Sequence, residues 1–395
     1  MIRNNNTYTI YACYVGYVVQ AIINNLPPLL FLTFQNSLGI SIGLIGSLIT
    51  INFGTQIIVD FAAAKYVDRI GYRPAIVAAH LFCAAGLLCM GILPRFMENA
   101  YAGLVIAMVC NAIGGGLLEV LVSPIVEATP SSGAKETAMS LLHSFYCWGH
   151  VAVVIFSTIG FQVFGMERWY MLPLLWSIVP FANLFVFSQV PIYTLAQEKD
   201  GQTERKLLSN RAFWLFFGLM LCAGASEQAM SQWASLFAEE GLQVSKTVGD
   251  LLGPCLFAIL MGSARMFYGK RGERIDLHKF MAASAMLCVV SYCMAVFLSN
   301  PLLALLGCGL CGLSVGIMWP GAFSLAAKGC PNGGTLMFGL LALAGDVGCA
   351  AGPSVVSAVS GAFPEYGIRA GLLAAIVFPL AMLFLLRSRR EKEKI

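Results

Sequence analysis

Apolar runs of about 20 residues recur along most of the chain, and each is long enough to cross a bilayer as a helix. Twelve are legible, near residues 8–33, 42–64, 74–93, 101–126, 138–164, 169–190, 212–237, 251–268, 280–298, 301–327, 334–362 and 370–386. In hydrocarbon every backbone polar group must be satisfied within the protein, which leaves helices or a closed barrel. Barrel strands would be about 10 residues long with strict apolar–polar alternation; these runs are longer and more uniform. Only 11% of the 395 residues are charged and 58% are hydrophobic, whereas about a quarter of a water-soluble domain is charged. The expected fold is an all-α membrane protein of twelve transmembrane helices, spans 1 to 12 in chain order.

All but four of the 24 Lys and Arg residues lie on one side, that of the N-terminus, the even-numbered connections and the C-terminus; the exceptions are Arg95, Arg168, Lys246 and Arg369. Basic residues accumulate on the cytoplasmic side, so both termini are expected in the cytoplasm, with the protein in a bacterial inner or plasma membrane. The run after Arg3 carries Gln20, Asn24 and Asn25 and has no small-x-small cleavage site. It reads as the first span rather than a cleaved leader. The 13 cysteines stand singly, mostly inside spans, and imply no disulfide framework. Cys308 and Cys311 read as small packing residues. His143, Cys147 and His150 share a stripe of span 5, but no closed Cys/His cluster completes a zinc site, and no metal is expected.

Span 2 runs into a short charged turn, Asp68, Arg69, Gly71 and Arg73. At an offset of 201 residues, Lys270, Gly272 and Arg274 take the places of Arg69, Gly71 and Arg73, and Gly115 falls on Gly316. The most polar stretch of the chain, 196–206, lies between. The expectation is two six-helix halves, 1–195 and 210–395, joined by a cytoplasmic linker over 196–209 and related as parallel repeats.

Five acidic residues fall within the apolar runs: Asp60, Glu119, Glu127, Glu227 and Asp346. A carboxylate at mid-bilayer costs at least ~2.5–3.5 kcal/mol, so it must be paired, hydrated or protonated. Glu127 ends span 4 and is expected near water. Arg265 in span 8 is the one basic residue available at depth, and it lies toward the cytoplasmic end. An acid with no cation relieves its burial by taking a proton, and can couple that exchange to a second ligand.

Glu119 is the best candidate. It follows Gly114, Gly115 and Gly116 and precedes Pro124, and Gly115, Glu119 and Ser123 share one helical stripe. The glycines admit a neighbouring helix, and span 4 reads as the wall of a polar pathway. Asp346, flanked by Gly345 and Gly348, is a second candidate for proton coupling. Asn24 and Asn25 beside Pro27-Pro28, His143 in span 5, and Glu227, Gln228 and Trp233 in span 7 are candidate solute contacts. Amides with an indole suit a sugar, whose hydroxyls are bonded while its apolar face is stacked. Asp60 has no evident role.

Twelve spans, two six-helix halves, a charged linker and the turn after span 2 resemble the major facilitator superfamily. The resemblance implies a gating role for the charged turns, with Asp68, Arg69 and Arg73 in one half and Arg265, Lys270 and Arg274 in the other. Four segments narrow it to the branch of fucose:proton symporters. Gly114, Gly116, Glu119 and Pro124 match that branch's span 4 pattern, with Ser123 in place of an asparagine. Leu141, Phe145 and Gly149 match in span 5, where Ser140 and His143 replace the usual polar pair. Gly224, Glu227 and Trp233 match in span 7, and Met318, Pro320 and Phe323 to Ala326 match in span 10. The branch's span 1 aspartate is absent, with Asn24 and Asn25 the nearest polar groups. Asp346 is the candidate for that missing carboxylate.

These features imply a secondary active transporter. The expected activity is proton-coupled symport of a small neutral polar solute such as a sugar, with the proton as coupling ion and no cofactor. The alternative is a proton-coupled drug exporter on the same fold. No nucleophile–base constellation, HExxH motif or phosphate loop is present, and an enzyme is not expected. The expected partners are the solute and the lipid bilayer, with no nucleic acid, and the protein is expected as a monomer.

Overall fold

The computed structural model describes residues 5–130, 135–193, 207–271, 275–330 and 334–392. Among these there is no strand. Twelve helical stretches are long and apolar enough to cross a membrane: Asn6–Leu38, Ile42–Ala63, Tyr72–Phe96, Ala100–Val126, Leu142–Phe164, Met171–Gln189, Arg211–Gly241, Lys246–Tyr268, Leu277–Phe297, Pro301–Ala326, Gly339–Ala362 and Gly367–Ser388. They are spans 1 to 12, and the chain folds as the all-α membrane protein its apolar runs predict. By contacts it divides into two compact units, Met1–Gln197 and Glu198–Ile395. Most of the expected linker, residues 196–206, lies outside the described residues.

Short polar side chains start the helices. Asn99, Asn210, Asp276 and Asn300 each accept a hydrogen bond from a backbone N–H of the first turn of spans 4, 7, 9 and 10, satisfying donors that lack helical partners. At Asp276, outside the membrane segments, the bond from the Lys279 N–H holds the carboxyl below its ordinary value. Gly39, at φ 66°, closes span 1; the left-handed backbone there favours glycine.

Three boundaries differ from those expected. Span 1 continues to Leu38 straight through Pro27 and Pro28. Spans 7 and 8 run on to Gly241 and begin at Lys246, so Glu239 and Asp250 belong to helical structure rather than to a connection. Lys246 makes this tolerable. Its Nζ lies 2.9 Å from Glu239 Oε1 and 3.2 Å from Asp250 Oδ2, and Ser235 Oγ donates to Asp250 Oδ1 at 2.5 Å. One ammonium thus serves two carboxylates within the hairpin.

Packing repeats between the units at an offset of six spans. In the first, span 3 packs on 4, span 1 on 5, span 2 on 4 and span 3 on 6. In the second, span 9 packs on 10, span 7 on 11, span 8 on 10 and span 9 on 12. Glycine permits the closest approaches. A Cβ on Gly348 of span 11 would strike the Leu221 carbonyl of span 7. One on Gly116 of span 4 would stand 3.1 Å from the Gln56 carbonyl of span 2.

Candidate functional site

In the first unit the polar groups gather on span 4. Gln56 Nε2, from span 2, donates to Glu119 Oε2 at 2.6 Å, and Gln20 Nε2, from span 1, reaches the same oxygen at 3.5 Å. Among the described residues no Lys, Arg or His nitrogen lies within ion-pair distance of Glu119. One turn further along, Ser123 Oγ and Tyr17 Oη are 3.2 Å apart. The Tyr17 ring meets His143 of span 5 edge-on, with centroids 5.4 Å apart. The stripe of Gly115, Glu119 and Ser123 therefore faces spans 1 and 2. Two amides, a phenol and an imidazole can bind hydroxyls there without adding a charge.

Asn24 is buried on span 1 and His143 is exposed. Asn25 is committed elsewhere: its Nδ2 donates to Ala21 O at 2.9 Å and to Tyr146 Oη at 3.4 Å. It joins span 1 to span 5, the bond hydrocarbon demands of a buried amide.

In the second unit Glu227 lies 3.4 Å from Arg265 Nη2, with the glutamate side chain 6% and the arginine side chain 17% exposed. Arg265 was expected at the cytoplasmic gate. It instead pairs with the span 7 acid, because an ionised carboxylate at depth draws in the nearest available cation. Gln232 Nε2 donates to Gln228 Oε1 at 3.0 Å, and both amides are buried. Trp233 is also placed differently from the solute-stacking position expected of it. Its side chain is fully buried and its Nε1 donates to Pro353 O of span 11 at 3.2 Å. The indole joins two helices because its N–H needs an acceptor. Asp346 is buried in span 11, where a Cβ on the adjacent Gly345 would strike the Trp319 ring of span 10.

Of the expected gating groups, Arg73 donates to Phe187 O, Ser188 O and Val190 O at 2.8–3.1 Å. It caps the end of span 6, where helix carbonyls lack partners and the dipole favours a cation. In the second unit His278 Nε2 meets Leu386 O of span 12 at 2.8 Å. Arg69 is exposed. The side chains of Asp68 and Lys270, and the whole of Arg274, lie outside the described residues.

The sequence hid three participants. Gln56 sits one turn before Asp60, and that i, i+4 polar pair in an apolar run was the available signal. Trp319 carried no cue beyond its place in the span 10 pattern. The group of Ser235, Glu239, Lys246 and Asp250 was announced only by the i, i+4 spacing of Lys246 and Asp250.

Twelve spans with ionisable groups held inside them define a multi-pass membrane protein with a polar interior. The sequence model of the Major Facilitator Superfamily matches residues 13–353, and the chain belongs to that superfamily. No curated protein matches the chain. Solved structures do. That of FucP, a Major Facilitator Superfamily transporter, in the outward conformation aligns with a TM-score of 0.66 at 16% identity, over 96% of this chain and 98% of that one. An asparagine-to-alanine variant of the Escherichia coli fucose:proton symporter FucP aligns with a TM-score of 0.67 at 16% identity over the same shares. At that identity the likeness is one of fold.

Proposed function

We propose that this protein is a proton-coupled symporter of a small neutral polar solute such as a sugar, working by alternating access with both termini in the cytoplasm. One observation carries the reading: Glu119, inside span 4, is held by the neutral amides of Gln56 and Gln20. Amides donate to a carboxylate yet leave it free to take a proton, whereas a guanidinium would hold it ionised. The fucose:proton symporter that shares the fold supports the same reading.

In this mechanism Glu119 takes a proton from outside. The neutral wall of span 4 then accepts the solute, with Asn24 and His143 as contacts in the first unit and Gln228 beside the Glu227–Arg265 pair in the second. Asp346 is a second coupling carboxyl. After the change of access, proton and solute leave inward. The membrane potential drives the cycle with about 2.3 kcal/mol per charge per 100 mV, added to any pH gradient.

The test is Glu119→Gln in cells or proteoliposomes. Uphill uptake should be lost while exchange of labelled against unlabelled solute persists. Survival of uphill uptake would remove Glu119 as the carrier. A growth and uptake screen over sugars, with an uncoupler as control, identifies the solute. Drug resistance without sugar uptake would favour export instead.

A further inference from the structure

Asp60 has no part in the mechanism above, yet it stands beside the proton site. It lies on span 2, one turn past Gln56, and a carboxylate oxygen of Asp60 is within 4.8 Å of one of Glu119. Gly116 makes this approach possible: a Cβ there would stand 2.6 Å from Asp60 Oδ1. Any larger residue at 116 would push the aspartate away from span 4.

The surrounding amides supply a second observation. Gln20 and Gln56 are 6% and 2% exposed, and each spends its Nε2 on Glu119. Their Oε1 atoms are buried without a hydrogen-bond partner among the described residues. They stand 3.3 and 3.4 Å from the point where a Cβ of Gly115 would lie, so both converge on the same stretch of span 4. A buried amide oxygen calls for a donor. A protonated carboxyl is one, through its O–H; an ionised carboxylate is not. Two acids at this spacing also resist ionising together, which favours one proton for the pair.

We propose that Asp60 and Glu119 hold a single proton between them, making Asp60 the partner of Glu119 within the first unit. The proposal rests on the proton-symport reading and adds a residue to it. On loading, an O–H bond of a hydronium ion outside breaks and an O–H bond forms on one carboxyl of the pair; on release the same proton passes to water inside. The pair cycles between charges of −2 and −1, and so carries one proton per turnover rather than two. The other titratable side chains described on the elements packed against span 4 near this level are Tyr17 on span 1, His80 and Cys83 on span 3, and His143 on span 5; the second unit adds the carboxyl of Asp346, the other coupling acid proposed above. His80 is engaged by Ile76 O and Asn183 Nδ2 at 2.8 Å each, and Tyr17 lies between His143 and Ser123.

The test is the pH profile of uphill uptake by the full-length protein in proteoliposomes. In Asp60→Asn the repelling charge is gone, Glu119 holds its proton less tightly, and the midpoint moves to lower pH by about one unit, a tenfold change in proton concentration. Asp60→Glu restores the charge and should restore the wild-type midpoint. A structural role for Asp60 would lower the rate equally at every pH and leave the midpoint in place, and that result overturns the proposal. Should Asp60→Asn fail to reach the membrane, infrared titration of Asp346→Asn, in which the first unit's pair alone can exchange, decides. One carboxyl proton lost over the pH range in which uptake fails supports a shared proton; two lost there overturn it. If Glu119→Gln still concentrates solute, Glu119 is not the proton carrier and the reading on which the shared proton rests fails. If Glu119→Gln behaves as expected and Asp60→Asn leaves the midpoint unmoved, only the shared proton is wrong.

Discussion

Each unit carries a glutamate in the interior of a span, and the two are solvated in opposite ways. Glu119 has two amides against its carboxylate, and Glu227 has the guanidinium of Arg265. Amides satisfy either protonation state: the N–H donates to the charged form, and the carbonyl accepts from the neutral one. A guanidinium favours the charged form alone. The same side chain is thus poised as an exchangeable acid in one unit and held as half of an ion pair in the other. Which role a membrane carboxylate takes is decided by its neighbours, one to three helices away in sequence.

The largest effect expected from this contrast is on stability. Arg265→Ala leaves the Glu227 charge buried without its partner, and breaking a buried pair this way costs about 3–5 kcal/mol. Thermal unfolding in detergent should show a large fall, largely recovered when Glu227→Gln is added. Glu119→Gln should unfold close to wild type, since its partners are neutral. Equal falls for the two single variants would erase the distinction between the sites.

A smaller effect separates the glycines of the two units. Gly348→Ala drives a methyl into the Leu221 carbonyl, and overpacking of a rigid helix contact costs about 1–3 kcal/mol. A methyl on Gly115 meets Ile23 Cδ1 at 2.9 Å and the two amide oxygens at 3.3 and 3.4 Å. All three are ends of flexible side chains, so Gly115→Ala should unfold nearer to wild type. It displaces the amides around Glu119, however, and uptake should slow more than in Gly348→Ala at matched expression. The reverse ordering of uptake rates would detach the amides from transport.

The smallest effect concerns Trp233. Trp233→Phe removes the bond to Pro353 O, worth about 0.5–1.5 kcal/mol, and should leave the half-saturation concentration for solute unchanged. A weakened solute affinity would return the indole to the binding site.

The fold was legible because its signal is physical and coarse. Apolar runs that must satisfy their own backbones in lipid can only be helices, and the 201-residue offset exposed the repeat. The stripe of Gly115, Glu119 and Ser123 was legible too, since helical period places its members on one face. What the sequence concealed was partnership across helices. Arg265 and Glu227 lie 38 residues apart, and no pattern within either span says that they meet. Gln56 and Glu119 lie 63 apart, and the first is one of several glutamines in apolar surroundings. Trp233 shows the converse error, a residue type suited to a ligand whose N–H was already taken by a carbonyl of span 11.

Span 1 passes unbroken through Pro27 and Pro28, and neither ring nitrogen can donate to the turn before it. Two rungs of the ladder are absent by covalent structure, so bending the rod at that level ruptures nothing. The residues just ahead, Asn24 and Asn25, sit at this built-in joint. A flexing motion of span 1 would therefore be centred beside the asparagines, with little enthalpic barrier of its own, and the temperature dependence of turnover should steepen if both prolines are replaced by alanine.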